Sequence, residues 1–504
     1  MPTSANLTDA IFEHAAKQPK MVALEDMTGR LSYRQFADLI GRAAVWLRGL
    51  GIEPGQPVGV RLANSADHLI LSLALMRVGA AKIEFATSGA GAQFDATVRN
   101  LGVKTLFIEP PARAAGDLRC IAIGPGWRRT LADFKGDFRH DGASPEPTDI
   151  LLSSGSTGPS KGVPCTHRLT LGRLADWNPT YLRAGMVSDD YTCTFLHVSS
   201  MSFTGFLIPL LARLVAGGKI VILPEFAKLL DFVRAIRAYD DAILIVTSGM
   251  CQDLLSCAPE QGLLFPKARA IICTGTPLSA ETKQHALRSL TPNFTEIYGN
   301  AGAGIVSALF PDEIPAHADS VGRVIPTLTV EIVDGADHPV GPNVAGFLRC
   351  RGSGVVEGLI AGVSSQAGFE GIRDGWYYPG DLAAIDQEGY LRLKGRAADA
   401  VTRRGVQVFP TVVELALMSC PGVRDVAVLG VGAGQDTQVV AAVVANGQDA
   451  QALHLHCIGA VGAGHTPDSY MFVAALPRTA AGKTDRARLR QMVQKSIERR
   501  RAVS

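Results

Sequence analysis

The chain has 504 residues, of which 47% are hydrophobic and 19% charged. That composition excludes a disordered chain and calls for roughly two to four structural units. A net charge of +2 gives no electrostatic grounds for nucleic acid or an anionic membrane as partner. The nine cysteines are scattered without a CxxC pair, which argues against a zinc site or a disulfide frame and for a reducing cytosol.

Residues 1–20 carry Asp9, Glu13 and two lysines with no continuous apolar core, so no secretion signal is expected. Apolar spacing predicts helices over 6–18 and 33–50, the second with Phe36, Leu39, Ile40, Ala43, Leu47 and Leu50 on one side. Gly51 stops it, and Pro54-Gly55 makes a turn. A short buried strand is expected at 58–60 and another at 103–108. Between them lies a helix at 66–78, capped by Asn64 or Ser65. Residues 109–148, rich in Pro, Gly, Arg and Asp, read as a surface excursion. Strands are expected again at 218–223, 242–246 and 270–273, with helical patterns between them. From 320 to 394, short alternating segments at 328–333, 346–351 and 389–393 read as antiparallel β structure. The remainder mixes helix and strand and ends in a basic helix at 485–501, read as a solvated face. The most apolar runs, 68–81 and 206–215, contain Arg77 and Arg213 and are shorter than a membrane span. A cytoplasmic protein without a membrane span is expected.

The stretch with the clearest chemistry is LLSSGSTGPSKG at 151–162. Two leucines able to end a buried strand run into residues made only of Ser, Thr, Gly, Pro and one Lys. Glycines let successive N–H groups converge on an anion, the hydroxyls add donors, and Lys161 adds a mobile positive charge. This is the chemistry of a polyphosphate cradle. It is not a Walker A loop, which needs Gly at Ser160 and Ser or Thr at Gly162.

Further segments stand in a fixed order. They are Leu31-Ser32-Tyr33, Phe195-Leu196-His197 with Gly205, Thr274-Gly275-Thr276-Pro277-Leu278, Tyr298-Gly299, the WYYPGD run at 376–381 with Gly395-Arg396, and PRTAAGK at 477–483. Together with the loop they resemble the adenylate-forming (ANL) superfamily, and within it the acyl- and aryl-CoA synthetases. The resemblance covers nearly the whole chain. It implies a large N-terminal domain, 1–394, of two doubly wound α/β subdomains plus a β-barrel-like subdomain. A small mobile α+β C-terminal domain, 395–504, would carry the catalytic lysine.

The resemblance also implies the reaction. A small-molecule carboxylic acid attacks the α-phosphate of ATP, giving an acyl-adenylate and pyrophosphate, and a thiol then displaces AMP. ATP, Mg²⁺ and CoA are the expected cofactors, with a phosphopantetheine-bearing acyl carrier protein as the other acceptor. Monomer and homodimer both stay open. Ser153, Ser154, Gly155, Ser156, Thr157, Gly158 and Lys161 would grip the phosphates. Gly275, Thr276 and Pro277 would cover one face of adenine, and Tyr298 the other. Glu296, two before that tyrosine and on the same face of a strand, would accept from the adenine amino group. Gly299, Asn300 and Ala301 would line the nucleotide. Asp381 would accept from both ribose hydroxyls, with Arg396 beside it. Lys483 would bridge the carboxylate and α-phosphate during adenylation. His197 and Gly302 would line the acid site, and no acidic residue in HVSSMSF at 197–203 awaits an α-amino group. Ala398 stands at the hinge, and Gly405 in the loop that lines a thiol channel. No protein metal ligand is assigned.

Ser160 replaces the loop's usual proline before the lysine, and three further positions depart from the pattern. Ala301 replaces a threonine expected to donate to the α-phosphate, and Gly302 a glutamate expected to hold Mg²⁺. Ala398 stands where most members carry Asp or Lys. A working ligase with an altered metal shell is the reading, and restoring glutamate at 302 is expected to raise activity or Mg²⁺ affinity. The alternative is a degenerate member that binds nucleotide or acyl-adenylate with little turnover.

Overall fold

The computed structural model describes residues 6–87, 92–110, 118–136, 138, 146–152, 162–186, 193–224, 226, 228–360, 370–404, 406–432, 437–478 and 484–501. A nine-stranded sheet forms its centre. Six neighbouring strands run parallel: Phe294–Asn300, Ala270–Thr274, Ala242–Thr247, Thr194–His197, Lys219–Ile222 and Val22–Asp26. Antiparallel strands close its two edges. A six-stranded sheet lies beside it in the order Arg119–Ala122, Thr105–Ile108, Pro57–Arg61, Ala81–Glu84, Asp149–Leu152, Gly162–Cys165. All its pairs but the last are parallel.

Helix Ala66–Arg77 touches a strand of each sheet, and every residue in it except Asp67 is buried. A helix apolar all round belongs between two layers, which accounts for its continuous hydrophobic run. Ser65 caps it, accepting from the His68 N–H at 3.2 Å. Helix Tyr33–Gly49 begins with a reciprocal capping box between Ser32 and Gln35 and buries Phe36, Ile40, Ala43 and Leu47.

The third layer is antiparallel, in the order Glu370–Arg373, Trp376–Pro379, Gly346–Arg351, Asp381–Ile385, Leu391–Arg396, with Thr329–Val333 joined to Gly346–Arg351. Among the described residues this pairing is an open path. The C-terminal portion holds Val423–Val431, Gln438–Ala445 and Ser469–Phe472 as a three-stranded sheet. One face (Val426, Val428, Val439, Ala441, Val443) packs on Val413, Leu417, Leu453 and Cys457 of helices Pro410–Met418 and Ala450–Val461. The alternate residues Ala427, Leu429, Val440 and Ala442 pack on Leu489 and Val493 of the terminal helix, Arg486–Arg501. The molecule is thus a mixed α/β protein with a large N-terminal and a small C-terminal portion.

Two elements differ from the expectation. Strand Val22–Asp26 enters the central sheet beside Lys219–Ile222, a pairing of Leu24 with Ile220 across 196 residues that no local pattern announces. The 109–148 excursion is more than surface chain. It supplies strand Arg119–Ala122, paired parallel to Thr105–Ile108, and Trp127, set edge-on against Trp46 at 5.7 Å.

Candidate active site

The parallel strands of the central sheet end near one another, with His197, Thr247, Thr274 and Tyr298 at or near their carboxyl ends. In open α/β sheets this is where ligands bind. After Thr274 the chain turns at Gly275, whose φ of 115° no residue with a side chain adopts cheaply. The turn is tied down twice. Ser248 Oγ donates to the Thr276 carbonyl. The Leu278 N–H donates to Glu296 Oε1 at 2.8 Å.

Glu296 does share a strand face with Tyr298, but its carboxylate is turned inward. It is 2% exposed and pairs with the Lys283 ammonium at 2.6 Å. Lys283, itself 1% exposed, also donates to the Ser320 carbonyl at 2.6 Å. A buried carboxylate persists only with such partners. Glu296 therefore anchors the Gly275–Leu278 turn.

Tyr298, Asp381 and Arg396 come together from two layers. Tyr298 Oη donates to Asp381 Oδ2 at 2.5 Å. Asp381 and Arg396 face each other across paired strands, with Arg396 Nε 3.6 Å from Asp381 Oδ1. Arg396 Nη2 donates to the Pro379 carbonyl at 2.8 Å and lies 3.4 Å from Glu370 Oε1. Burial opposes the charge on Arg396, but Asp381 and Glu370 outweigh it and hold the guanidinium above its ordinary range. Burial, reinforced by Asp381, pushes the Tyr298 phenol well up, so it stays a donor.

The turn after Tyr298 is built around Asn300. Its Oδ1 accepts from the Gly302 and Ala303 N–H groups at 3.1 and 2.9 Å. From behind, Arg173 holds the turn. This guanidinium is fully buried and donates to the carbonyls of Ala301 (3.0 Å), Gly302 (2.7 Å) and Gly354 (2.7 Å). Gly302 is not simply an empty position. A Cβ there would overlap the ring and hydroxyl of Tyr377. A side chain at 302 has room only where Tyr377 moves aside.

His197 is fully buried, 6.4 Å from the Phe206 ring and nearly perpendicular to it. Burial lowers its pKa to about 3, helped by nearby His68. The Ser199 main chain pulls the other way, in a geometry too poor for a hydrogen bond, and neither ring nitrogen has a partner among the described residues. The imidazole is neutral. Behind it runs a buried chain of charge. His68 Nε2 is 2.8 Å from Glu84, and Lys82 is 3.4 Å from Glu84 and 2.8 Å from Asp149. Asp149 opens the strand that leads into the 153–161 loop.

Ser153, Ser154, Gly155, Ser156, Thr157, Gly158, Lys161, Gly405 and Lys483 lie outside the described residues. Ala398 falls in the short 3₁₀ turn Ala397–Asp399. With Asp399, Arg404, Gly430, Arg486 and Arg490 it lines a cavity of about 940 Å³ beside the C-terminal sheet. The described residues contain no group of three or more His, Cys, Asp or Glu able to hold a metal ion. Lys283, Arg173, Tyr377 and the Lys82 chain escape sequence reasoning because each acts across a long separation. Only Asp149, just upstream of the loop, had a local signal.

The donor set fits a nucleotide. The Tyr298 ring is half-buried, Asp381 is braced by Arg396, and the buried Asn300 Nδ2 has no partner among the described residues. The AMP-binding enzyme model matches residues 11–360, and the model of its C-terminal domain matches 412–483. The chain is 27% identical over 510 residues to an indoleacetate–CoA ligase of Aromatoleum aromaticum, covering 97% of this chain and 98% of that one. It is 25% identical to a 2-succinylbenzoate–CoA ligase of Bacillus cereus, covering 96% and 98%. Its fold matches ATP-bound MatB from Rhodopseudomonas palustris with a TM-score of 0.84 at 24% identity, covering 97% and 99% of the two chains. No described helix is long and apolar enough to cross a membrane. With a family model spanning well over half its length, the chain belongs to the AMP-binding enzyme family.

Proposed function

We propose that the protein activates a carboxylic acid with ATP and transfers the acyl group to the thiol of CoA. In the first half-reaction a carboxylate oxygen attacks the α-phosphorus and the bond to pyrophosphate breaks. In the second, the thiol sulfur attacks the acyl carbon, AMP leaves, and the thiol proton passes to solvent. The observation that carries this reading is the Tyr298–Asp381–Arg396 cluster at the carboxyl ends of the central strands. The names of the relatives, ligases joining indoleacetate or 2-succinylbenzoate to CoA, support CoA as acceptor over a carrier protein. They do not favour a degenerate nucleotide binder.

Asp381 would take the ribose hydroxyls, with Arg396 fixing the carboxylate, and Tyr298 and the Gly275–Pro277 turn would enclose adenine. The 153–161 loop would hold the β- and γ-phosphates, and Lys483 would neutralise charge as carboxylate meets phosphate. Mg²⁺, travelling with ATP, would shield the phosphates. A neutral His197 near Phe203 and Phe206 suits an aryl acid or a medium acyl chain, and offers no counter-charge to an amino group. Residues 1–394 and 395–504 would form two units that reorient about Ala398 between the half-reactions.

The test is ATP–pyrophosphate exchange over a panel of aryl, acyl and amino acids. Exchange with an aryl or acyl acid, and none with α-amino acids, is expected. Nucleotide binding without exchange on any acid would overturn the reading.

A further inference from the structure

Two polar groups flank Gly302 without partners among the described residues. The first is the Asn300 amide. Because Oδ1 accepts two backbone N–H bonds, the side chain cannot be flipped, and Nδ2 is the end turned away from the turn. That nitrogen is shut off from solvent and has no hydrogen-bond partner among the described residues. A buried NH₂ left unbonded is costly, so its presence calls for an acceptor that arrives with a ligand. The second is the Tyr377 hydroxyl, which occupies the space a side chain at 302 would need. It has no partner among the described residues. Burial, reinforced by Cys350, Asp381 and Glu370 and opposed by Arg396, pushes its phenol up, so it is a protonated donor beside the Tyr298–Asp381–Arg396 cluster.

Both groups are held rigidly. Arg173 clamps the turn from behind, and Tyr377 lies on a strand paired to Cys350 on one side and Ile372 on the other. Preorganised neutral donors of this kind suit an anionic oxygen, since they need no rearrangement as charge arrives.

We propose that Asn300 Nδ2 and Tyr377 Oη are positioning donors for a phosphate oxygen of the bound adenylate, at the corner where Gly302 leaves no side chain. The inference rests on the nucleotide-binding reading above. It makes this corner a hydrogen-bond site, where a carboxylate at 302 would have made it a metal-ligand site.

Two variants isolate the donors. Tyr377→Phe keeps the ring and its packing but removes the hydroxyl. Asn300→Asp keeps the oxygen that accepts from Gly302 and Ala303 and replaces the donor with a repelling oxygen. The probes are AMP and adenosine, which differ by the phosphate, titrated calorimetrically against the full chain. The wild type is expected to prefer AMP. That preference should fall about tenfold in Tyr377→Phe, and by more in Asn300→Asp, with adenosine affinity and melting temperature unchanged. A preference within twofold of wild type in both variants would overturn the proposal, as would a wild type that binds adenosine as tightly as AMP. An equal loss of AMP and adenosine binding would assign both residues a purely structural role. Absence of acid-dependent exchange would count against the ligase reading and leave this comparison decisive on its own.

Discussion

At the scale of single residues, the site is governed by what burial does to polar groups. His197 has its pKa depressed by burial from 6.5 to about 3. A group that is harder to protonate when folded binds fewer protons than the unfolded chain between those values. Its contribution to stability is fully present above about pH 6.5 and is lost as the pH falls toward 3. His197→Gln should therefore flatten part of the acid limb of a melting-temperature profile while changing little at pH 8. An unchanged acid limb would contradict the assignment of a buried neutral ring. Glu84 follows the opposite chemistry with the same outcome. Burial raises its pKa, but His68 and Lys82 outweigh that and bring it to about 2, so its stabilisation is also lost on acidification below about 4.5. Gly302 belongs at this scale too. Read along the chain it is a missing glutamate, whereas in three dimensions the volume is filled by a tyrosine 75 residues away in numbering.

Secondary-structure elements fix where these residues stand. The strand Ala81–Glu84 pairs with Asp149–Leu152 through Lys82 and Asp149, and the same two side chains form a buried ion pair at 2.8 Å. Burial disfavours the charge on Lys82, but Asp149 and Glu84 outweigh it and hold the ammonium above its ordinary range. This pair pins the strand that directly precedes residues 153–161. Lys82→Met would leave two buried carboxylates without their cation and should cost about 3–5 kcal/mol of unfolding free energy, measured by urea denaturation. A cost below about 1 kcal/mol would mean that the strand is held by its backbone ladder alone. Helix His167–Arg183 does a similar job for the Asn300 turn, since Arg173 spans three carbonyls that no shorter side chain reaches together.

For the whole molecule, the decisive question is how the two portions move. Ala398 sits in a 3₁₀ turn between the antiparallel layer and the C-terminal sheet, beside the 940 Å³ cavity. Proline is compatible with the φ of such a turn and restricts its alternatives. Under the proposed hinge, Ala398→Pro should separate the half-reactions, slowing one at least tenfold and sparing the other. The check is pyrophosphate exchange set against thioester formation from supplied acyl-adenylate. Equal rates for both, relative to wild type, would remove Ala398 from the hinge.

The chain by itself determined the local features. The alternating α/β pattern, a helix cap at Asn64 or Ser65, and the order of Tyr298, Asp381 and Arg396 along the motifs all reside in a few consecutive residues, where spacing and residue type go far. It also carried the family, because those motifs keep their order over most of the length. Tertiary structure alone decided three things. Glu296 is neutralised by Lys283 and serves the turn. Strand Val22–Asp26 belongs to the central sheet. Tyr377 takes the space beside Gly302. Each depends on contacts between segments far apart in sequence, and burial and charge pairing act on distance in space, which spacing along a chain does not encode.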